Sequence, residues 1–116
     1  MRDQAIRLNP NNAEYFGNRG VANAYKGQND RAIQDLDQAI RLKPNCVEAY
    51  SNRGLAYAHK GQPDRAIRDY DQAIRFNPNY ALAFYNRGLA RRAKGDSVGG
   101  DTDIAKAKQL DPNVAN

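Results

Sequence analysis

Apolar residues recur at spacings of three and four along two stretches of the chain, one over residues 30–42 and one over residues 64–76. This spacing places the apolar side chains on one face of an α-helix, and such a face is expected to pack against a core. The apolar positions are Ala32, Ile33, Leu36, Ala39 and Ile40 in the first stretch, and Ala66, Ile67, Tyr70, Ala73 and Ile74 in the second. The pattern therefore predicts two amphipathic helices that present the same buried face.

Glycine and proline mark where each predicted helix ends. A first helix from Ala13 to Lys26 contains no proline and ends before Gly27, because glycine favours the position just past a helix. The second helix is expected to take Asp30 as its N-cap and to end before Pro44. The same signals recur further along the chain, so the predicted local unit is a helix, a turn and a second helix.

The chain repeats itself with a period of 34 residues. Residues 13–46 and 47–80 are identical at 21 of 34 positions, and residues 81–114 follow the same pattern more loosely. Residues 1–10 match the second helix of a unit that lacks its first helix. A fixed period of this length is typical of solenoids, in which each unit buries its apolar face against its neighbours. We therefore expect three complete units, preceded by half a unit.

The repeat resembles the tetratricopeptide repeat (TPR), which has a large residue, glycine, an aromatic residue, alanine, a second aromatic residue, alanine and proline at fixed positions. In residues 47–80 these positions hold Tyr50, Gly54, Tyr57, Ala66, Tyr70, Ala73 and Pro78. The resemblance covers nearly the whole chain and implies an all-α fold, an α/α superhelical solenoid of antiparallel helix pairs. It also implies a right-handed stack in which the first helices line a concave groove.

The two ends of the array differ. Asp101 and Lys108 stand where the first two units have isoleucines that face the next repeat, so residues 81–114 are expected to be a C-terminal capping unit with a polar outer face. Residues 1–10 are interpreted as the truncated upstream repeat of a longer, bacterial-type array. Their open apolar face favours self-association.

Two further sequence features predict how the helices pack. Arginine recurs on the three first helices at a position that is usually leucine in the TPR family, and aspartate recurs at the matching place on the second helices. The arginines are Arg19, Arg53 and Arg87, and the aspartates are Asp35, Asp69 and Asp103. This recurrence predicts an ion pair within each unit. The adjacent Gly99 and Gly100 predict that the last helix begins late or frays early, since glycine destabilises helices.

Composition argues against catalysis and metal binding. The chain has one cysteine, Cys46, and one histidine, His59, and it lacks a nucleophile elbow and a phosphate-binding loop. The acidic residues recur with the repeat, which indicates architecture rather than an acid–base pair. We therefore predict that the protein is not an enzyme and needs no cofactor or metal.

The charge and hydropathy of the chain argue against nucleic acid and membrane as partners. The net charge of +5 permits nucleic-acid binding, but the basic residues are interleaved with aspartate, so RNA binding is the less favoured hypothesis. The apolar runs are too short to cross a bilayer, so no membrane partner is expected. No signal peptide follows Met1. The sequence leaves the compartment undecided, and a soluble, cytoplasmic location is favoured over export.

The resemblance places the candidate binding site in the concave groove. Asn18, Asn52 and Asn86 occupy the same position in three units, and in some TPR proteins asparagines there grip a peptide backbone. An amide can do so because it offers a donor and an acceptor; the alternative is that these amides bond neighbouring helices. The expected side-chain pockets involve Val21, Leu55, Leu89, Tyr25 and Tyr85, and Arg92 is expected to attract an acidic group.

One known TPR binding mode is not expected here. Chaperone-binding members use a carboxylate clamp of lysine, asparagine and arginine, whose positions hold Gly17, Val21, Asn52, Leu82 and Asn86 in this chain. Only Asn52 matches, so heat-shock chaperone tails are not the expected ligand. The predicted function is a protein-interaction module that binds a peptide or protein partner in the concave groove. The alternative is an oligomerisation scaffold that associates with a second copy of itself through the open N-terminal face.

Overall fold

Six helices follow one another along the chain. The computed structural model describes residues 12–115, so the expected helix in residues 1–10 lies outside the described residues. The helices are α1 (Asn12–Tyr25), α2 (Asn29–Leu42), α3 (Val47–His59), α4 (Pro63–Phe76), α5 (Ala81–Ala93) and α6 (Ser97–Leu110). The part of the chain that the structure describes contains no strand. The predicted all-α class is confirmed.

Successive helices form three antiparallel pairs, α1 with α2, α3 with α4, and α5 with α6, and each pair packs on the next. Helix α3 also touches both α1 and α5, whereas α2, α4 and α6 do not contact one another. The first helices of the pairs are therefore closer together than the second helices. This difference curves the stack and places α1, α3 and α5 on its concave side.

Glycine ends the first helix of each pair. Gly27, Gly61 and Gly95 have φ values of 76°, 77° and 92°, a left-handed conformation that glycine adopts without steric cost. After α1 the backbone N–H of Gln28 donates to the carbonyl oxygen of Asn23 at 2.9 Å, which closes the turn. The predicted helix ends at these glycines are confirmed.

The predicted N-caps of the second helices are wrong. Helices α2 and α4 each begin after a glutamine whose side chain makes no capping bond. Asp30 lies in the first turn of α2, and its Oδ1 is 2.6 Å from the Nζ of Lys60 in the next unit. Asp64 makes the corresponding ion pair with Lys94. These carboxylates thus face the positive end of their own helix and also link neighbouring units.

Small residues bring the two helices of each pair close together. The side chains of Leu36, Tyr70 and Ile104 lie directly over glycines of the partner helix, which are Gly20, Gly54 and Gly88. A Cβ atom on Gly54, for example, would lie 2.6 Å from the Cε1 of Tyr70. The large side chains fill the space that the glycines leave, so the interior is close-packed.

The last helix begins where its counterparts do, so the expected late start is wrong. Helix α6 starts at Ser97, which is equivalent in the repeat to Pro63 at the start of α4. The carboxylate of Asp96 caps this helix by accepting a hydrogen bond of 2.9 Å from the backbone N–H of Gly99. This cap compensates for the weak helix propensity of the two glycines. Asp101 and Lys108 are exposed, as expected of a polar outer face.

The predicted Arg–Asp ion pairs are confirmed in all three units. In the second unit, Nε and Nη2 of Arg53 donate to the two carboxylate oxygens of Asp69 at 2.9 and 2.7 Å. Nη1 of Arg53 also donates to Asp37 of the preceding unit at 2.8 Å. Arg87 repeats this arrangement with Asp103 and Asp71. Arg53 and Arg87 therefore connect units as well as helices, which the sequence did not predict.

Burial disfavours the charged forms of the arginine and aspartate side chains in these ion pairs. It lowers the pKa of the Arg53 guanidinium, but the hydrogen bonds and charges of Asp69 and Asp37 raise that pKa by more, so the group stays charged. Burial raises the pKa of the Asp69 carboxyl, while Arg53 lowers it. In the first unit, Arg19 binds Asp35 in the same bidentate manner. Its side chain is 50% exposed, compared with 22% for Arg53, so less of its charge is desolvated.

Candidate functional site

Three connected cavities run along the concave side of the stack. The first lies between α1 and α3, has a volume of about 380 Å³ and includes Asn18, Val21 and Asn52 in its lining. The second has a volume of about 130 Å³ and shares Val21 and Asn52 with the first. The third, between α3 and α5, has a volume of about 420 Å³ and shares Leu55 and His59 with the second. Because neighbouring cavities share residues, they form one groove.

The three asparagines lie along this groove. Asn18 lines the first cavity, Asn52 the first and second, and Asn86 the third. Asn23, elsewhere on α1, donates to Asp35 at 2.8 Å, but Asn18, Asn52 and Asn86 make no side-chain hydrogen bond with other residues in 12–115. The alternative that these amides bond neighbouring helices is therefore not what the described residues show. With respect to residues 12–115, each amide therefore keeps a donor and an acceptor for a ligand.

Apolar side chains alternate with the asparagines. Val21 lines the first and second cavities, Leu55 the second and third, and Leu89 the third. The second cavity is bounded mainly by Val21, Leu55 and Ala24, with His59 at its edge. Its small size and apolar lining suit an aliphatic side chain of a ligand.

Three of the predicted site residues are less well placed. Tyr25 lines the second cavity but is 90% exposed, so it lies at the rim. Tyr85 and Arg92 line none of the three cavities. The Nε atom of Arg92 donates to Asp101 at 2.8 Å, so its charge is already balanced by a carboxylate. The structure therefore does not place Arg92 where it would attract an acidic group of a ligand.

The first cavity has an acidic character. Glu14 and Glu48 line it, and Lys43 is the one basic residue among its described lining residues. The pKa of the nearby Tyr80 is raised, mainly by burial and then by the charges of Glu48 and Cys46. The net negative charge favours a basic group of a ligand at this end of the groove.

Sequence reasoning missed one residue of the groove. Tyr70 belongs to the outer helix α4 and was expected only in the core, yet it also lines the third cavity. The signal was visible as a difference between units, because the equivalent residues are Leu36 and Ile104, which have no hydroxyl group.

Two further observations concern metal ligands and membrane-spanning helices in the described residues. Within residues 12–115, no three histidine, cysteine or acidic side chains come together as potential metal ligands. Among the described helices, none has both the length and the apolar character that crossing a bilayer requires.

Sequence models of one family match the chain in three places. A tetratricopeptide repeat model matches residues 47–80, a second matches residues 3–34, and a TPR repeat model matches residues 24–61. The chain therefore belongs to the tetratricopeptide repeat family, whose members are typically non-enzymatic protein-interaction modules. A comparison with curated protein sequences finds no match.

Several solved structures have the same fold. MamA is 30% identical with a TM-score of 0.82, and the alignment covers 95% of this chain and 64% of MamA, so the chain spans less than two thirds of that relative. The first TPR domain of human RPAP3 is 26% identical with a TM-score of 0.88, covering 90% of this chain and 83% of that domain. The second TPR of Spaghetti (RPAP3), solved with the HSP90 peptide SRMEEVD, is 27% identical with a TM-score of 0.85. The alignment covers 93% of this chain and 99% of that one.

Proposed function

We propose that this chain binds an extended segment of a partner protein in its concave groove, without catalysis or a cofactor. The observation that carries the proposal is the row formed by Asn18, Asn52 and Asn86. These amides lie along connected cavities and make no hydrogen bond with other described residues. Binding a peptide backbone would satisfy both the donor and the acceptor of each amide.

The spacing of the helices suits an extended chain. Packed helices lie roughly 8–10 Å apart, and an extended peptide advances roughly 3.3 Å per residue. Each first helix would therefore meet about every third residue of the peptide. Asn18, Asn52 and Asn86 would contact the peptide backbone, while Val21, Leu55 and Leu89 would contact its side chains.

Charge favours one end of the groove for basic ligand residues. Glu14 and Glu48 outnumber Lys43 in the first cavity, whereas Arg92 at the other end is paired with Asp101. A lysine or arginine of the partner is therefore better placed beside α1 than an acidic residue beside α5. The peptide complex of the second TPR of Spaghetti supports a peptide as the class of ligand.

Fluorescence anisotropy with pools of labelled hexapeptides tests the proposal. Each pool has one fixed residue, random residues elsewhere and an amidated C-terminus. Asn52→Ala is expected to weaken binding by about fivefold or more, since each lost hydrogen bond contributes on the order of 1 kcal/mol. The matched control is Gln34→Ala, which removes an exposed amide from the outer helix α2. Equal binding by the parent chain and Asn52→Ala contradicts the proposal.

Light scattering across a protein concentration series tests the alternative of self-association. If the measured molar mass equals that of one chain at every protein concentration, the groove is open to a partner protein. A mass that rises with protein concentration and falls when peptide is added would instead show that a second copy occupies the groove.

A further inference from the structure

The hydroxyl group of Tyr70 is a buried polar group without a partner. Tyr70 is 0% exposed, and its hydroxyl oxygen makes no hydrogen bond with any described residue. Burying a hydroxyl group without a hydrogen bond is unfavourable, so native proteins rarely keep one unless a bound group satisfies it. Packing does not require the hydroxyl, because Leu36 and Ile104 fill the equivalent positions of the other units.

The ring of Tyr70 extends from the outer layer of helices toward the groove. It leaves α4 and lies over Gly54 of α3, where a Cβ atom would be 2.9 Å from Cδ1 and 3.0 Å from Cζ. Tyr70 also lines the third cavity, together with Leu55, Asn86 and Leu89 of the concave side. The hydroxyl has almost no accessible surface, so a ligand in the third cavity would reach it only after the ring turns toward the groove.

The lining of the third cavity restricts what the hydroxyl would bind. Leu55, Leu89 and Ala90 provide apolar walls, and no lysine or arginine is among the described residues that line the cavity. A charged group would lose its hydration there without gaining an opposite charge. Burial, and then the charge of Asp69, raises the pKa of the Tyr70 hydroxyl, so it remains a hydrogen-bond donor. An uncharged acceptor on an apolar stem is therefore the best match, and the side chain of glutamine has this form.

We propose that the third cavity is a specificity pocket that receives a glutamine side chain of the bound segment, with the Tyr70 hydroxyl donating to its carbonyl oxygen. The NH₂ group of that glutamine would face the polar edge formed by Asn86 and His59. This inference rests on the proposed function, because it requires a peptide in the groove.

The same hexapeptide pools test the pocket when fixed glutamine, leucine and glutamate are compared. The full 116-residue chain is expected to bind the best glutamine pool about fivefold more tightly than the matching leucine and glutamate pools. Tyr70→Phe should remove this preference, and its melting temperature should be equal or higher because an unsatisfied hydroxyl is gone. Tyr57→Phe, which changes a partly buried tyrosine outside the three cavities, should keep the preference.

The outcomes separate this inference from the proposed function. If peptides bind and Asn52→Ala weakens them, but Tyr70→Phe keeps the same ranking of pools, only the pocket is overturned. A lower melting temperature of Tyr70→Phe with unchanged ranking also overturns it, since the hydroxyl then has a structural role. If no pool binds, the proposed function fails and the pocket fails with it.

Discussion

The backbones of Gly88 and Gly100 meet where α5 packs against α6. A Cβ atom on Gly88 would lie 2.7 Å from the carbonyl oxygen of Gly100, and one on Gly100 would lie 2.7 Å from the carbonyl oxygen of Gly88. Real Cβ atoms do not approach backbone oxygens this closely. Gly100 lowers the helix propensity of α6, but its lack of a side chain allows α5 and α6 to pack this closely.

Replacing Gly100 with alanine is expected to destabilise the protein. Helix propensity alone would favour alanine by roughly 0.5–1 kcal/mol, but overpacking against Gly88 costs about 1–3 kcal/mol. Urea unfolding followed by circular dichroism measures the net change. Gly17→Ala is the matched control, because nothing lies within 4 Å of a Cβ at Gly17, and it should stabilise by roughly 0.5–1 kcal/mol. Stabilisation by both substitutions would contradict this account of the helix crossing.

Arg53 should contribute more to stability than Arg19. Arg53→Met would leave Asp69 buried without its partner and remove the link to Asp37, at a cost of about 3 kcal/mol. Arg19→Met should cost about 1 kcal/mol or less, because half of the Arg19 side chain is exposed and Asn23 still donates to the buried Asp35.

Urea unfolding of the two variants gives the comparison, with Arg41→Met as the control at an exposed position. Equal losses for Arg53→Met and Arg19→Met would show that burial does not set the strength of these pairs. A loss in the control as large as that of Arg53→Met would assign the effect to charge in general.

Amide hydrogens of α6 are expected to exchange faster than those of α4. Helix α6 begins normally, but it contains two glycines, and its outer face carries exposed Asp101 and Lys108 instead of a packed neighbour. Fewer buried contacts make local opening easier. Hydrogen exchange measured by mass spectrometry, comparing residues 97–110 with residues 64–76, checks this expectation. Equal protection of the two helices would refute it.

The peptide SRMEEVD should bind this chain weakly or not at all. Gly17, Val21, Leu82 and Asn86 occupy four of the five clamp positions that hold basic and amide side chains in chaperone-binding relatives, and the first cavity is acidic. An acidic peptide would therefore meet two carboxylates, Glu14 and Glu48, and only one basic residue, Lys43, in the first cavity. Isothermal titration calorimetry with SRMEEVD and with a peptide in which its glutamates and aspartate are replaced by lysine tests the sign of this effect. Tighter binding of the acidic peptide would contradict it.

The fold was predictable from the sequence because its signals are local. Gly27 takes the positive φ value expected of it, and the apolar stripe of α2 is buried at Ala32, Leu36 and Ala39. The N-cap predictions failed because Asp30 lies two residues after the N-cap, Gln28, and pairs with Lys60 of another unit instead. A residue three positions after a glycine can serve as a cap or as an ion-pair partner, and the choice depends on a helix that is distant in sequence.

The candidate site was only partly predictable. Asn18, Asn52 and Asn86 were found from their recurrence, and the structure places all three along the groove. Arg92 was selected for its charge, but its pairing with Asp101 depends on how α6 packs beside α5. Tyr70 was missed because a residue of a core stripe carries no sign that it also lines a cavity.

The sequence by itself determined the period, the six helices in residues 12–115, the turns at the glycines and the Arg–Asp pairing within each unit. These features depend on backbone preferences and on side chains that recur in every copy. Only the tertiary structure decided that Arg53 also binds Asp37, that Gly88 and Gly100 touch, and that the Tyr70 hydroxyl is buried without a partner among the described residues. These contacts depend on the distance and angle between packed helices, and those are set by all the side chains at the interface together.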